Sequence, residues 1–195
     1  MKTLNNYITE WKASSNNVSF IETQYFIYRN DASGYIKIFD EDWAQRNKYI
    51  DKVYINRKHA QIDNQGWTRN EYKPGIYYVN IKDIDKVINC LYMFYSCKQL
   101  IYVPYFDTSK VEDMSCMFKY CSSLDNVQLF DTSHVKSMDE MFYGCEDLIS
   151  VPLFDTSNVN TMDSTFYECE KLSKETKKEW SKVYDFEIHS KKIQK

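Results

Sequence analysis

Apolar positions in the second half of the chain recur with a fixed step. Cys97, Cys121, Cys145 and Cys169 stand 24 residues apart, and the same step links Phe94, Phe118, Phe142 and Phe166. It also links Leu100, Leu124, Leu148 and Leu172, and Val87, Val111, Val135 and Val159. Cys90 heads a further column continued by Met114, Met138 and Met162. Columns in such strict register signal a repeat, because units this small cannot bury their apolar residues alone and must stack to do so.

Each unit has a legible internal order. Read from Leu124, it opens Leu-x-x-Val-x-Leu, which predicts a short strand with alternate side chains inward. Asp-Thr-Ser follows at 107–109, 131–133 and 155–157, and these short polar side chains predict turns by bonding the backbone just ahead. A second extended piece is expected over Val135 to Met138. Ser115, Asp139 and Asp163 then precede residues such as Met141, Phe142 and Cys145, whose spacing predicts one helical turn capped by those side chains. The expectation is an α/β repeat solenoid of leucine-rich-repeat type over 82–172, with short strands plus one short helical turn per unit. Stacked about 4.8 Å apart, equivalent side chains would form ladders along its axis.

The ends lack the 24-residue step. Leu4, Tyr7, Ile8 and Trp11 follow the i, i+3, i+4, i+7 spacing of an amphipathic helix. Phe20 to Tyr28 and Tyr35 to Phe39 read as strands about the turn 30–34, and Asp40 as the cap of a short helix containing Trp43. Val53 to Ile55 and Ile76 to Ile81 are further strand candidates. Residues 1–81 are therefore expected to form an N-terminal α+β cap or degenerate repeats, with a separate β-rich domain as the alternative. Residues 173–195 are read as a C-terminal helical cap and basic tail. Ser173 caps a helix running through Lys182, and Leu172, Trp180, Val183 and Phe186 cover the last unit. The tail Lys191-Lys192-Ile193-Gln194-Lys195 is expected to be frayed.

The signature Phe-Asp-Thr-Ser-x-Val-x-x-Met-[Ser/Asp]-x-Met-Phe-x-x-Cys-x-x-Leu, repeated from Phe106 and Phe130 and, with Thr165 for the second Met, from Phe154, resembles that of the BspA-like leucine-rich-repeat proteins of bacteria. The resemblance implies a leucine-rich-repeat solenoid and a binding or adhesion role, with no catalytic residues to carry over. Many members of that family are long, secreted surface proteins, whereas this sequence holds about four units.

Charge sharpens the functional reading. Residues 82–172 carry 7 Lys/Arg against 15 Asp/Glu, a net −8, while residues 1–81 and 173–195 carry +2 and +3. An acidic middle repels phosphate backbones and attracts a basic partner, chiefly through association rate. No stretch approaches the roughly 18 apolar residues of a membrane helix. The opening residues lack the apolar run of a secretory signal, so a cytoplasmic location is expected, with the cell surface as the alternative.

The chemistry-bearing residues point away from catalysis. The cysteines form no Cys-x-x-Cys pair and read as small apolar core groups rather than metal ligands. Asp107, Asp131 and Asp155 read as self-capping turns, and His59, His134 and His189 lie in unrelated contexts. With 4 glycines and no phosphate-cradling loop, neither an enzyme nor a cofactor is expected.

Partner-binding candidates are the residues that strand alternation turns outward: Tyr102, Asn126 and Ser150, beside Pro104, Gln128 and Pro152. Tyr95, Tyr143 and Tyr167 should point outward from the helical turns, and tyrosine is a common interface anchor. The chain is thus expected to be a monomeric, non-enzymatic module that docks a partner protein on its strand-lined face, without nucleic acid or membrane. Two alternatives are a surface adhesion protein and a mobile-element inhibitor that occludes a defence nuclease or toxin.

Overall fold

The computed structural model describes residues 25–47 and 52–186. The helix expected around Leu4 to Trp11, the start of the strand expected from Phe20, His189 and the basic tail lie outside the described residues.

The regular structure is one open sheet of five antiparallel strands: β1 (Phe26–Asn30), β2 (Val53–Ile55), β3 (Lys58–His59), β4 (Gly75–Ile81) and β5 (Leu100–Tyr102), in the order β3-β2-β4-β1-β5. β2 and β3 form a hairpin whose two loop residues, Asn56 and Arg57, take positive φ, the backbone twist a two-residue hairpin requires. β1 lies between β4 and β5, pairing Phe26 with Val79 of β4 and Ile27 with Tyr102 of β5. The first repeat unit is thereby joined edge-on to the N-terminal strands. Alternation along β1 sends Phe26 and Tyr28 into the main core and Ile27 into a smaller cluster with Ile101 and Tyr102 on the opposite face. Helix is sparse: α1 (Glu41–Asn47), a 3-10 turn at Ile84–Lys86, and α2 (Lys174–Trp180).

Beyond β5 the units carry neither the expected strands nor the expected helical turns. Only isolated parallel bridges mark the extended segments, Asp113 to Ser137, Ser137 to Thr161 and Asn126 to Ser150. The segments read as helical turns contain two left-handed residues four apart: Tyr92 and Ser96, Cys116 and Tyr120, Glu140 and Gly144, Ser164 and Glu168. A left-handed residue interrupts a right-handed helix, so these segments are compact turns. Their amide groups alternate in direction. Met117 and Lys119 donate within their own turn, to Met114 and Cys116, while Cys116, Phe118 and Tyr120 donate to Asp139, Met141 and Tyr143 of the next unit at 2.7–2.9 Å.

The α/β solenoid of leucine-rich-repeat type is therefore not what forms. The sheet is antiparallel and built mostly from residues preceding the repeats, and the units are turn and extended chain. Two expectations at the ends change with it. Tyr35 to Phe39 is not a strand paired with β1. It makes single bridges through Gly34 and Lys37, and the Lys37 amide donates to the Gln99 side chain at 3.1 Å. The helical cap expected through Lys182 is not seen as such. α2 is only seven residues, capped by Ser173 Oγ accepting the Thr176 N–H at 3.1 Å, and Val183 is 44% exposed. Expected features that do stand in place are Asp40, whose carboxylate accepts the amides of Asp42 and Trp43, and the strands β2 and β4.

What the 24-residue step does place is the core. Phe94, Phe118, Phe142 and Phe166 stack with centroids 5.6, 5.6 and 5.7 Å apart and planes within 9° of parallel. Phe39 and Trp43 lie beyond Phe94, and Trp180 meets Phe166 at 4.9 Å. One buried cluster runs from Phe26 to Tyr184. Three of the four ladder cysteines bond the preceding unit: Cys121, Cys145 and Cys169 donate their thiols to the carbonyls of Phe94, Phe118 and Phe142 at 3.0–3.1 Å. Thr108 and Thr132 likewise donate to the carbonyls of Asp131 and Asp155, so buried polar groups are paired from unit to unit.

Candidate functional site

With the backbone paired between units, outward side chains fall into rows along the stack, and two rows carry most of the exposed or half-buried chemistry. The first follows the turns. Tyr92, Tyr95, Tyr120, Tyr143 and Tyr167 form a continuous half-buried strip, each ring 5.0–5.9 Å from the next. Lys119 lies 4.5 Å over Tyr143 and 5.4 Å over Tyr120, in the range where a cation is attracted to a ring face. Its ammonium bonds Glu140 at 2.7 Å. Partial burial is the largest single influence on Lys119 and opposes its charge, yet the bond and charge of Glu140, with Cys116 and Tyr120, together outweigh it and the pKa is raised. Burial, then the Glu168 charge, pushes Tyr143 up to about 12. The structure thus unites the expected Tyr95, Tyr143 and Tyr167 and adds Tyr92 and Tyr120, but the rings and their cation largely satisfy one another.

The second row follows the extended segments. Of the residues expected there, Tyr102 is only 8% exposed because it packs with Ile27 and Ile101, with Ile76 and Tyr78 against them, and Pro104 is buried. Asn126, Gln128 and Pro152 are half-buried and Ser150 is exposed, with Asn126 bonded to the Asp125 carboxylate at 2.6 Å. A recurring exposed position is the next one along in each unit. Tyr105, Leu129 and Leu153, again 24 residues apart, are 52%, 58% and 36% exposed. Beneath them Phe106, Phe130 and Phe154 are buried, and two residues on lie Asp107, Asp131 and Asp155. The signal for this row was present in the sequence. Tyr-Phe, Leu-Phe and Leu-Phe precede Asp in three units, and an extended chain turns neighbouring residues to different sides, so one apolar residue of each pair is left outside.

The three carboxylates keep their charge. Each accepts the amide of the serine two residues on, at 2.9–3.0 Å, and Ser133 Oγ adds a bond of 2.6 Å to Asp131. Bonds from Ser109, Ser133 and Ser157 are the largest cause holding these carboxyls below the usual range. Asp85, outside the 24-residue register, adds a carboxylate at the start of this row and accepts the Asp107 amide at 2.9 Å.

All six cysteines are buried, and burial pushes the Cys169 thiol up to about 12 and Cys121 and Cys145 well above the ordinary value. No group of three or more His, Cys, Asp or Glu is placed to hold a metal ion, and no described helix is long and apolar enough to cross a membrane.

Residues 77–190, more than half the chain, match the model of a family described as Mycoplasma protein of unknown function, DUF285. No curated protein and no solved structure matches.

Proposed function

The chain belongs to the DUF285 family, and on that premise we propose that it is a non-enzymatic protein-binding module that docks a partner along the row Tyr105, Leu129 and Leu153. One observation carries the reading: large apolar side chains stand in water at the same place in three successive units. Scattered exposed leucines are ordinary, but a regular line of them beside charged groups is the composition of a contact surface. Fully burying such a side chain is worth roughly 1.5–3 kcal/mol. About half of that is still to be gained at each rung, or roughly 2–4 kcal/mol over the row, which suits a reversible contact once association costs are met. Because the row sits on a hydrogen-bonded backbone, little ordering entropy is lost on docking.

Three further points support the reading. The buried, proton-holding thiols are wrong for nucleophiles, and the acidic middle favours a basic partner over nucleic acid. The likeness to BspA-like proteins also favours binding over catalysis. Unpaired buried cysteines suit a reducing compartment such as the cytoplasm.

The test is co-purification of the native partner with Leu129→Asp plus Leu153→Ser, against Tyr143→Ala, after circular dichroism has established that each variant folds. The double substitution should abolish capture while Tyr143→Ala retains it. Retention by the double variant refutes the proposed face, and loss with Tyr143→Ala alone transfers the site to the tyrosine strip.

A further inference from the structure

The element that lies on this row has a form the spacing selects. We propose that it is a basic amphipathic helix of the partner, aligned with the stack, with one apolar residue per turn on Tyr105, Leu129 and Leu153 and a Lys or Arg per turn against Asp107, Asp131 and Asp155. The inference deepens the docking reading and rests on it.

Geometry distinguishes a helix from a strand. Phe106, Phe130 and Phe154, which lie in sequence between each apolar residue and its aspartate, step by 5.5 and 6.0 Å. A helix advances about 5.4 Å per turn, so residues at i, i+4 and i+7 meet successive rungs. Same-side residues of a strand are about 6.6–6.8 Å apart, so over the two steps a strand laid along the row would overrun its rungs by roughly 2 Å, whereas a helix falls short by only about 0.7 Å.

Charge selects the polar flank. Asp107, Asp131 and Asp155 place one carboxylate in each 24-residue step beside the apolar line, and Asp85 adds another next to Asp107. The column three residues further on reads Lys110, His134 and Asn158, so cationic neighbours thin out along the stack. Asp131 and Asp155 are exposed, and each still offers an oxygen beyond the one that accepts its serine amide. A Lys or Arg alongside the apolar stripe of a helix finds a carboxylate at every turn, whereas a phosphate-bearing partner meets the same repulsion at every step.

The probes are three fluorescein-labelled peptides of about 18 residues. One carries Leu at i, i+4, i+7 and i+11 flanked by Lys; the second has the same sequence with a central Pro; the third has Glu for Lys. In anisotropy titrations of the full chain the first should bind at least about tenfold more tightly than either other, and more weakly as salt rises. Leu129→Asp, or Asp131→Asn with Asp155→Asn, should cost about tenfold, while Tyr143→Ala should leave affinity unchanged. Asn retains the side-chain oxygen that accepts the serine amide, so these turns survive the change. Equal binding of the first two peptides, or no binding of the first, overturns the helix. If the native partner is nevertheless lost with Leu129→Asp, the docking face stands and only the identity of its occupant is wrong.

Discussion

Replacing Phe118 by alanine tests the aromatic column that aligns the units. Phe118 is fully buried between Phe94 and Phe142, both at 5.6 Å, with Phe130 at 6.2 Å. Core Phe→Ala substitutions cost about 3–5 kcal/mol, more where the surroundings cannot close on the cavity. Here closure is blocked. The neighbouring units are held apart at fixed spacing by amides such as Phe94 to Met117 and Phe118 to Met141, both 2.9 Å, so the rings above and below cannot collapse together. The loss is expected at the upper end, about 4–5 kcal/mol, a third or more of the stability of many domains.

The column also has a reporter near each end, Trp43 beside Phe39 and Trp180 beside Phe166. Urea unfolding of 5-fluorotryptophan-labelled protein, followed by fluorine resonances assigned with Trp43→Phe and Trp180→Phe, should show both signals shifting to the same lower midpoint, since one buried cluster joins them. A loss under about 2 kcal/mol would mean that the column is not closely packed. A shift of Trp180 alone would mean that the units do not share a core with the N-terminal sheet.

Other outcomes follow from local geometry. Gly144 sits at φ +69 with the Tyr120 ring 2.6 Å from where a Cβ would stand, so Gly144→Ala should cost about 1–3 kcal/mol by thermal melting. Burial raises the Asp125 carboxyl above its usual value, against bonds from its own amide and that of Asn126. The charged form is therefore disfavoured in the folded chain, a cost present at neutral pH and relieved as pH falls through the raised value. Asp125→Asn should accordingly raise the melting temperature at neutral pH and lose that advantage in acid. Native protein should also react with Ellman's reagent only at its unfolding rate, because all six thiols are buried.

The sequence made the inside of the repeats legible and left the backbone path obscure. Phe118, Cys121, Leu124 and Val135 recur at a fixed step because each meets its own equivalents in the next unit, and all four are buried. The spacing of Met141, Phe142 and Cys145 fits a helical turn and a compact turn alike, so periodicity does not separate the two. The residues that break the helix are mostly ordinary side chains in left-handed conformations, such as Cys116, Tyr120 and Glu168, and only Gly144 advertises the position. Tyr102 was read as outward because nothing local says that β1, more than 70 residues earlier, would pair across it. Strand pairing at that separation is decided by tertiary packing, which propensity does not encode.

The two outward rows differ in what the fold already asks of them. In the tyrosine strip each ring leans on another, and Lys119 is shared between two rings and Glu140, so these side chains have partners in the isolated chain. Removing one would disturb its neighbours whether or not anything binds. Tyr105, Leu129 and Leu153 are different: the segment is already secured by the Phe beneath each of them and by the serine amides bonded to each aspartate, so the fold makes little use of their outer faces. Polar residues at those positions would cost the folded chain little and would spare it exposed apolar surface. Their recurrence as apolar residues in three units is thus better explained by a surface that comes to cover them than by the stability of the chain alone.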